Sequence, residues 1–122
     1  MRALSLSLAL SLSLSLPAVA QESSPAARAA LAHQLYDASL TAMSAGAGTS
    51  SDVYDWSVRW MRADLEGHVA NATGAHLDRM NTLLARVHSQ VATGTARASD
   101  ETACQFYVAE ARAWIAHPPT VP

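Results

Sequence analysis

The sequence predicts an all-α protein, an antiparallel helical bundle of about four helices that follows an N-terminal signal peptide. Apolar residues recur at helical spacing in four stretches after residue 25. Segments rich in Gly, Ser and Thr separate these stretches, as helix-ending turns do, and Ser-Asp pairs that suit helix N-termini precede two of them. We expect two helical hairpins, residues 26–72 and 75–117, in one domain that spans residues 21–122.

The first 20 residues have the composition of a signal peptide. Arg2 is the positive start, Leu4 to Leu16 form an apolar Leu/Ser segment, and Ala18 to Ala20 form a cleavage site before Gln21. We therefore predict that the mature chain is exported to the periplasm or the extracellular medium. No stable membrane insertion is expected after cleavage, because the one later stretch long enough to span a bilayer carries too many charges.

Net charge and cysteine content restrict the functions that the sequence predicts. Without Arg2, seven arginines oppose ten acidic residues, a formal net charge of −3, so no electrostatic attraction to nucleic acid or to anionic membranes is predicted. Cys104 is the single cysteine, which excludes a disulfide within the chain. It falls on the apolar face of the fourth predicted helix, and we expect it to be buried.

The first predicted helix runs from Ala26 to Ala45, and Gly46-Ala47-Gly48 ends it. Its narrow polar stripe contains His33 and Asp37 at i,i+4 spacing. Its apolar arc is broad. The residues expected on this arc are Leu31, Leu35, Ala38 and Ala42, followed by Tyr36, Leu40 and Met43.

The second predicted helix, Ser50 to Val69, has two apolar arcs, which predicts a central place in the bundle. Opposite charges at i,i+4 spacing cover its solvated face. A thin polar stripe between the arcs is expected to face inward, where its members must be hydrogen-bonded. The first arc holds Tyr54, Val58, Met61, Leu65 and Val69, the second Val53, Trp56, Trp60 and Gly67, and the polar stripe Ser57, Asp64 and His68.

The third predicted helix, Ala75 to Ala92, has one strong apolar stripe, with His76 on its inner arc, and Arg79 is expected to face away from it. Asn71 to Gly74 is the expected turn before this helix. A single glycine is a weak break, so one long bent helix formed by the second and third helices stays open. The fourth predicted helix runs from Ser99 to about Ala116 and ends before Pro118-Pro119.

An offset of 48 residues aligns the two halves of the mature chain. Each half has the order helix, Gly/Ser/Thr turn, Ser-Asp cap, helix. This order is typical of a duplicated helical hairpin, and two hairpins make a four-helix bundle. Convergence is the alternative, because every helical hairpin needs a turn and a cap. The aligned pairs include Gly46 with Gly94, Ser51-Asp52 with Ser99-Asp100, and Leu35-Tyr36 with Leu83-Leu84.

This repeat resembles the periplasmic helical hairpins of outer-membrane efflux channel proteins of the TolC type, in which a Tyr-rich helix, a Gly-containing turn and an Asp-led helix recur in each half. The resemblance covers about 30 residues per half and does not imply a channel, because the chain is far too short and has no barrel strands. The segment Val53 to Arg59 is also similar to segments of small exported bacterial helical proteins of unknown function. The positions that match the hairpin repeat are Tyr36, Gly46, Asp52, Gly94 and Asp100.

Aromatic residues of the second helix are the candidate partner-binding residues. Trp56 and Trp60 share one arc, and Tyr54 lies on the other. One interpretation is packing in the core. The other is an exposed aromatic strip that docks a protein partner or a second copy of the chain.

Asp64, His68 and His76 are the candidate metal-binding residues. In an up-down-up-down bundle they lie toward one end, and imidazole with carboxylate can bind transition metals. We predict that Asp64 and His68 interact and that His76 is close to them. The alternative is that these side chains line the bundle end, with Asp64 orienting the ring of His68.

The predicted function is that of an exported, non-enzymatic binding or interaction module. A periplasmic metal- or haem-binding four-helix bundle is the alternative. Ser57, Asp64 and His68 match a hydrolase triad in composition alone, because Ser57 and Asp64 are about 10 Å apart along one helix. No catalytic residue and no cofactor are therefore assigned.

Overall fold

The computed structural model describes residues 24–121, so the predicted signal peptide and its cleavage site lie outside the described residues. The described part of the chain contains four helices and no strand, which confirms the predicted all-α class. No helix in residues 24–121 is both long and apolar enough to cross a membrane. The helices are α1 (Pro25–Ser44), α2 (Ser50–Glu66), α3 (Ala72–Ala92) and α4 (Ala98–Ala116).

The helices pack as two antiparallel hairpins. α1 lies along α2, α3 lies along α4, and the contact of α2 with α3 joins the two hairpins. α2 and α3 are therefore the inner helices, each covered on two sides, and α1 and α4 are the outer ones. The hairpins share one core, in which the thiol of Cys104 is buried as predicted. Its members are Tyr36, Met43, Val53, Met80, Leu83, Val87, Cys104, Val108 and Ala111.

Side-chain caps explain where two of the helices begin. At α2, the Thr49 hydroxyl accepts a hydrogen bond from the Asp52 backbone N–H at 3.2 Å, and the Asp52 carboxylate accepts one from the Thr49 N–H at 3.3 Å. At α4, the Asp100 carboxylate accepts a hydrogen bond from the Arg97 N–H at 3.0 Å. These bonds satisfy N–H groups that have no partner within the helix.

The connection between α2 and α3 differs from the prediction. α2 ends at Glu66 instead of Val69, because His68 and Asn71 adopt positive φ angles of 56° and 60°, which a right-handed helix excludes. α3 then begins at Ala72, so Gly74 lies in its first turn instead of ending the connection. A side chain on Gly74 would meet the Asn71 amide at 2.1 Å. The second and third helices are therefore separate.

The inward face of α1 is also different from part of the prediction. Leu31 and Leu35, expected inside, are 49% and 40% exposed, and Ala38 is exposed as well. The buried side instead contains Ala29, Ala32, Tyr36 and Met43. α1 is apolar on both sides but has one close neighbouring helix, so the side that contains Leu31 and Leu35 is left exposed.

Candidate functional site

A buried polar cluster lies where α2 meets α3, and we call it the Ser-His-Arg cluster after Ser57, His76 and Arg79. Ser57 and His76 are fully buried. The Ser57 hydroxyl oxygen is 2.8 Å from His76 Nδ1 and accepts a hydrogen bond from Arg79 Nε at 2.7 Å. Arg79 Nη2 also donates to the Ser57 backbone carbonyl at 3.1 Å. The inward positions predicted for Ser57 and His76 are confirmed.

One ring nitrogen of His76 is hydrogen-bonded and the other is not. A guanidinium can only donate, so the Ser57 oxygen accepts from Arg79, and the same hydroxyl is the hydrogen-bond partner of His76 Nδ1. His76 Nε2 is buried without a hydrogen-bond partner. The imidazole centroid is 5.5 Å from the Trp114 ring and 6.2 Å from the Tyr54 ring. The unpartnered nitrogen is therefore in an aromatic environment.

The charge state of the cluster follows from its burial. Burial, and secondarily the charge of Arg79, lowers the pKa of His76 to about 4. Burial also lowers the pKa of Arg79, although its guanidinium is still protonated at neutral pH. The cluster consequently holds one positive charge at neutral pH, on Arg79.

Arg79 extends the cluster to Trp60 and α1. Its guanidinium carbon is 4.0 Å from the Trp60 ring centroid, and the His33 ring of α1 stacks on Trp60 at 4.0 Å. Two planar groups this close cannot share one face, so Trp60 is held between them. Burial raises the pKa of Asp64, while the charges of Arg79 and His33 and a hydrogen bond from Trp60 oppose that rise. Side chains from three helices thus meet around one indole.

Arg79 is the member of the cluster that sequence reasoning missed. Its charge placed it on the solvated side of the third predicted helix. It follows His76 by three residues, which puts both side chains on one face of α3. The long aliphatic part of arginine can lie in an apolar contact while the guanidinium reaches a partner. The signal was therefore the spacing from a predicted inward histidine.

Tyr54 connects α2 to α4. Its hydroxyl donates a hydrogen bond to the Glu110 carboxylate, and its ring stacks on Tyr107 at a centroid distance of 4.0 Å. Burial raises the pKa of Tyr54 strongly, and the bond to Glu110 adds to the rise. Tyr54, Trp56 and Trp60 are all half-buried against the core. Their predicted role in partner binding stays a prediction.

The predicted metal-binding residues are not brought together. Asp64 is partly buried, His76 is fully buried, and His68 is exposed in the α2–α3 connection. No hydrogen bond or ion pair joins Asp64 to His68, so the predicted pair is not formed; the i,i+4 geometry it needs is lost because α2 ends at Glu66. Residues 24–121 contain no group of three His, Cys, Asp or Glu side chains that could hold a metal ion.

A second polar feature is a cavity of about 420 Å³ between the two hairpin turns. Met43 and Val87 form its apolar part, while Thr49, Thr95 and Arg97 contribute polar surface. The cap hydrogen bonds of α2 and α4 already use the Asp52 and Asp100 carboxylates next to it. The cavity therefore shows no free charged group in a buried position.

Comparisons with protein-family models, with curated proteins and with solved structures find no match. The resemblance to TolC-type hairpins stays a prediction. The functional conclusion consequently rests on the geometry of the described residues.

Proposed function

We propose that this chain is an exported, non-enzymatic interaction module that binds a protein partner through an uncovered side of α1. We call this side the outer α1 face and define it as Leu31, Leu35, Ala38 and Ala42. Its exposure is the observation that carries the proposal: two leucines one helical turn apart are 49% and 40% exposed. Among residues 24–121, the other exposed large apolar residues, Val69, Phe106 and Ile115, are not within one turn of each other along a helix.

The similarity of the two hairpins supports the proposal. The two turns have the same geometry at an offset of 48: the φ angle is 77° at Gly46 and 76° at Gly94. The Ala47 and Thr95 N–H groups donate to Ala42 and Gln90 carbonyls, each at 2.8 Å. The hairpins can therefore be compared residue by residue, with α1 equivalent to α3.

The outer α1 face is equivalent to a side of α3 that is covered over part of its length. Leu31 corresponds to Arg79, which donates to Ser57 of α2, and Leu35 corresponds to Leu83, which is 0% exposed. Ala38 corresponds to Arg86, which is exposed, and Ala42 to Gln90, which is half-buried. In α1 the leucines at the first two of these positions are exposed instead, which favours a binding partner.

The Ser-His-Arg cluster supports a structural role for its own polar groups. Ser57 and His76 are fully buried and are used in the contact of α2 with α3. Tyr54, Trp56 and Trp60 form an alternative surface, but their packing against the core leaves them less accessible than Leu35.

Site-specific photo-crosslinking tests the proposal. A photoreactive phenylalanine analogue at position 35 of the whole exported protein, irradiated in its native cells, should give a covalent adduct. The matched control is position 109, an exposed alanine on α4, which should give none. Position 56 tests the aromatic alternative. Equal labelling at 35 and 109, or none at 35, would contradict the proposal.

One observation favours the second candidate, a periplasmic metal- or haem-binding bundle: the buried Nε2 of His76 has no hydrogen-bond partner. The fit is incomplete, because Asp64 and His68 form no group with His76 that could hold a metal ion in residues 24–121. Metal analysis and an absorption spectrum of protein purified after export separate the two functions. Stoichiometric metal, or a haem absorption band, would favour this candidate.

A further inference from the structure

We propose that two copies of this chain exchange hairpins: the connection between α2 and α3 straightens into one continuous helix, and each copy's α3–α4 hairpin packs on the other copy's α1–α2 hairpin. The inference goes beyond the proposed binding function, because it does not use the outer α1 face. The partner is a second copy, since the contact of α2 with α3 is already complementary within one molecule. Each Ser-His-Arg cluster of the dimer then contains residues from both copies.

The connection between α2 and α3, residues 67–71, has an unfavourable backbone conformation, and we call this segment the hinge. The φ angle is 56° at His68 and 60° at Asn71. A Cβ atom makes this left-handed conformation unfavourable, even though His and Asn adopt it more often than most residues do. The glycine of the hinge, Gly67, has a negative φ of −82°. A helical hinge therefore relieves backbone strain at two residues.

The two hairpin turns avoid this strain with glycine. In each turn and in the hinge, a backbone N–H donates to the carbonyl oxygen five residues earlier, at 2.8 or 2.9 Å. The residue just before that N–H has a positive φ angle, and it is Gly46 or Gly94 in the turns but His68 in the hinge. Straightening a hairpin turn therefore relieves no such strain, whereas straightening the hinge does.

Straightening the hinge costs little buried surface. Its five residues are all exposed, including the apolar Val69 at 52%. The ion pair of Arg28 with Glu66 lies within the first hairpin, and that of His88 with Glu101 lies within the second. Each hairpin therefore keeps its own contacts when the hinge changes conformation.

The contact that the two copies exchange is the one already present within each molecule. α2 and α3 are antiparallel, since Ser50 and Gln90 at their far ends line one cavity. Two straightened α2–α3 helices can therefore lie antiparallel about a two-fold axis, with α2 of each copy against α3 of the other. On one continuous helix, Ser57 and Arg79 are 22 residues apart and differ in direction by about 40°. Both then lie on the side that faces the partner helix, where Ser57 of one copy meets His76 and Arg79 of the other.

Refolding at two protein concentrations tests the inference. The mature protein, purified after export, is unfolded in urea and refolded at about 1 μM and about 200 μM, and size-exclusion chromatography with light scattering measures its mass. We expect monomer at the lower concentration and a dimer fraction at the higher one. Tagged and untagged dimers should exchange chains only after they are unfolded together, because exchange requires the whole contact of α2 with α3 to break.

Two substitutions at one hinge position distinguish this dimer from a dimer of closed molecules. His68→Ala makes the positive φ angle more costly and favours a helix, whereas His68→Gly removes the strain and disfavours a helix. Because each dimer contains two hinges, the dimer-to-monomer ratio after refolding should be about tenfold or more higher for His68→Ala than for His68→Gly. Ala109→Gly, at an exposed position of α4 outside the hinge, is the matched control and should leave this ratio unchanged.

Circular dichroism verifies that each variant is helical. The inference is overturned if His68→Ala gives no dimer at about 200 μM, or if His68→Ala and His68→Gly give the same dimer fraction. Rapid mixing of tagged and untagged dimers without unfolding would also contradict it. Loss of the dimer in Leu35→Glu would overturn it as well, because the contact would then lie on the outer α1 face.

Discussion

The α1–α2 hairpin and the α3–α4 hairpin have the same local structure in different surroundings. Their turns share glycine conformation and hydrogen bonds, and each second helix begins six residues after the first one ends. They differ in what covers the first helix of each. α3 lies between α2 and α4, whereas α1 contacts α2 closely and has its other side exposed.

This difference shows that the Ser-His-Arg cluster depends on the contact of α2 with α3 and not on the local structure that the two hairpins share. The equivalents of Ser57, His76 and Arg79 in the other hairpin are Gln105, Arg28 and Leu31, and all three are exposed. Similar local sequences therefore make similar hairpins. The position of a helix in the bundle decides which of its sides is shielded from water. It also decides which buried polar groups must form hydrogen bonds with one another.

The largest expected effect tests the equivalence of Leu83 and Leu35. Leu83→Ala leaves a cavity in the core and should lower the free energy of unfolding by about 2–5 kcal/mol. Leu35→Ala removes an exposed side chain and should change it by about 0.5 kcal/mol or less. Urea unfolding measures both. Similar losses would mean that the two faces are equally buried.

The pH dependence of stability tests the burial of His76. Its pKa is about 4 in the folded protein and about 6.5 unfolded, so the unfolded chain binds an extra proton between these values. Neutral His76 therefore contributes stability that is complete above pH 6.5 and is lost as the pH falls to 4. The loss is about 3 kcal/mol at most.

His76→Gln is the control for this effect, because it keeps a polar side chain but cannot titrate. Its unfolding free energy should fall less steeply than that of the wild type between pH 6.5 and 4, while changes due to carboxylates are common to both. The same slope for the two proteins would show that His76 is hydrated in the folded state.

Arg79→Met tests how much the guanidinium contributes to stability where α2 meets α3. The change removes two hydrogen bonds to Ser57 and the contact with the Trp60 ring, so we expect a loss of about 1–3 kcal/mol. Arg86→Met is the matched control: its exposed guanidinium donates to the Ser44 hydroxyl, and about 0–1 kcal/mol is expected. Thermal or urea unfolding compares them, and equal losses would place Arg79 with ordinary surface arginines.

The smallest expected effect on stability concerns the positive-φ glycine that each hairpin turn contains. Gly46→Ala and Gly94→Ala should each cost about 1 kcal/mol, because both residues have positive φ angles and an added Cβ meets nothing within 4 Å. The two losses should agree within error in urea unfolding. A large difference would show that the turns are not energetically equivalent.

The sequence by itself determined the helices, their turns and much of the core. Positive-φ glycines, N-terminal caps and helical periodicity act within a few residues, so Gly46, Gly94 and the capping role of Asp52 were readable without any neighbour. The inward positions of Ser57, His76 and Cys104 followed from the same periodicity, because each lies among apolar residues on its helix.

Only the tertiary structure decided which side of α1 is covered and which side chains complete the polar cluster. α1 is apolar on two sides, so its periodicity does not choose between Tyr36 and Leu35; the position of α2 does. The end of α2 was missed for a local reason: Gly67, placed on an apolar arc by its periodicity, is the C-cap residue. Arg79 is half-buried because Ser57 and Trp60 approach it from another helix, and such contacts depend on packing instead of local sequence.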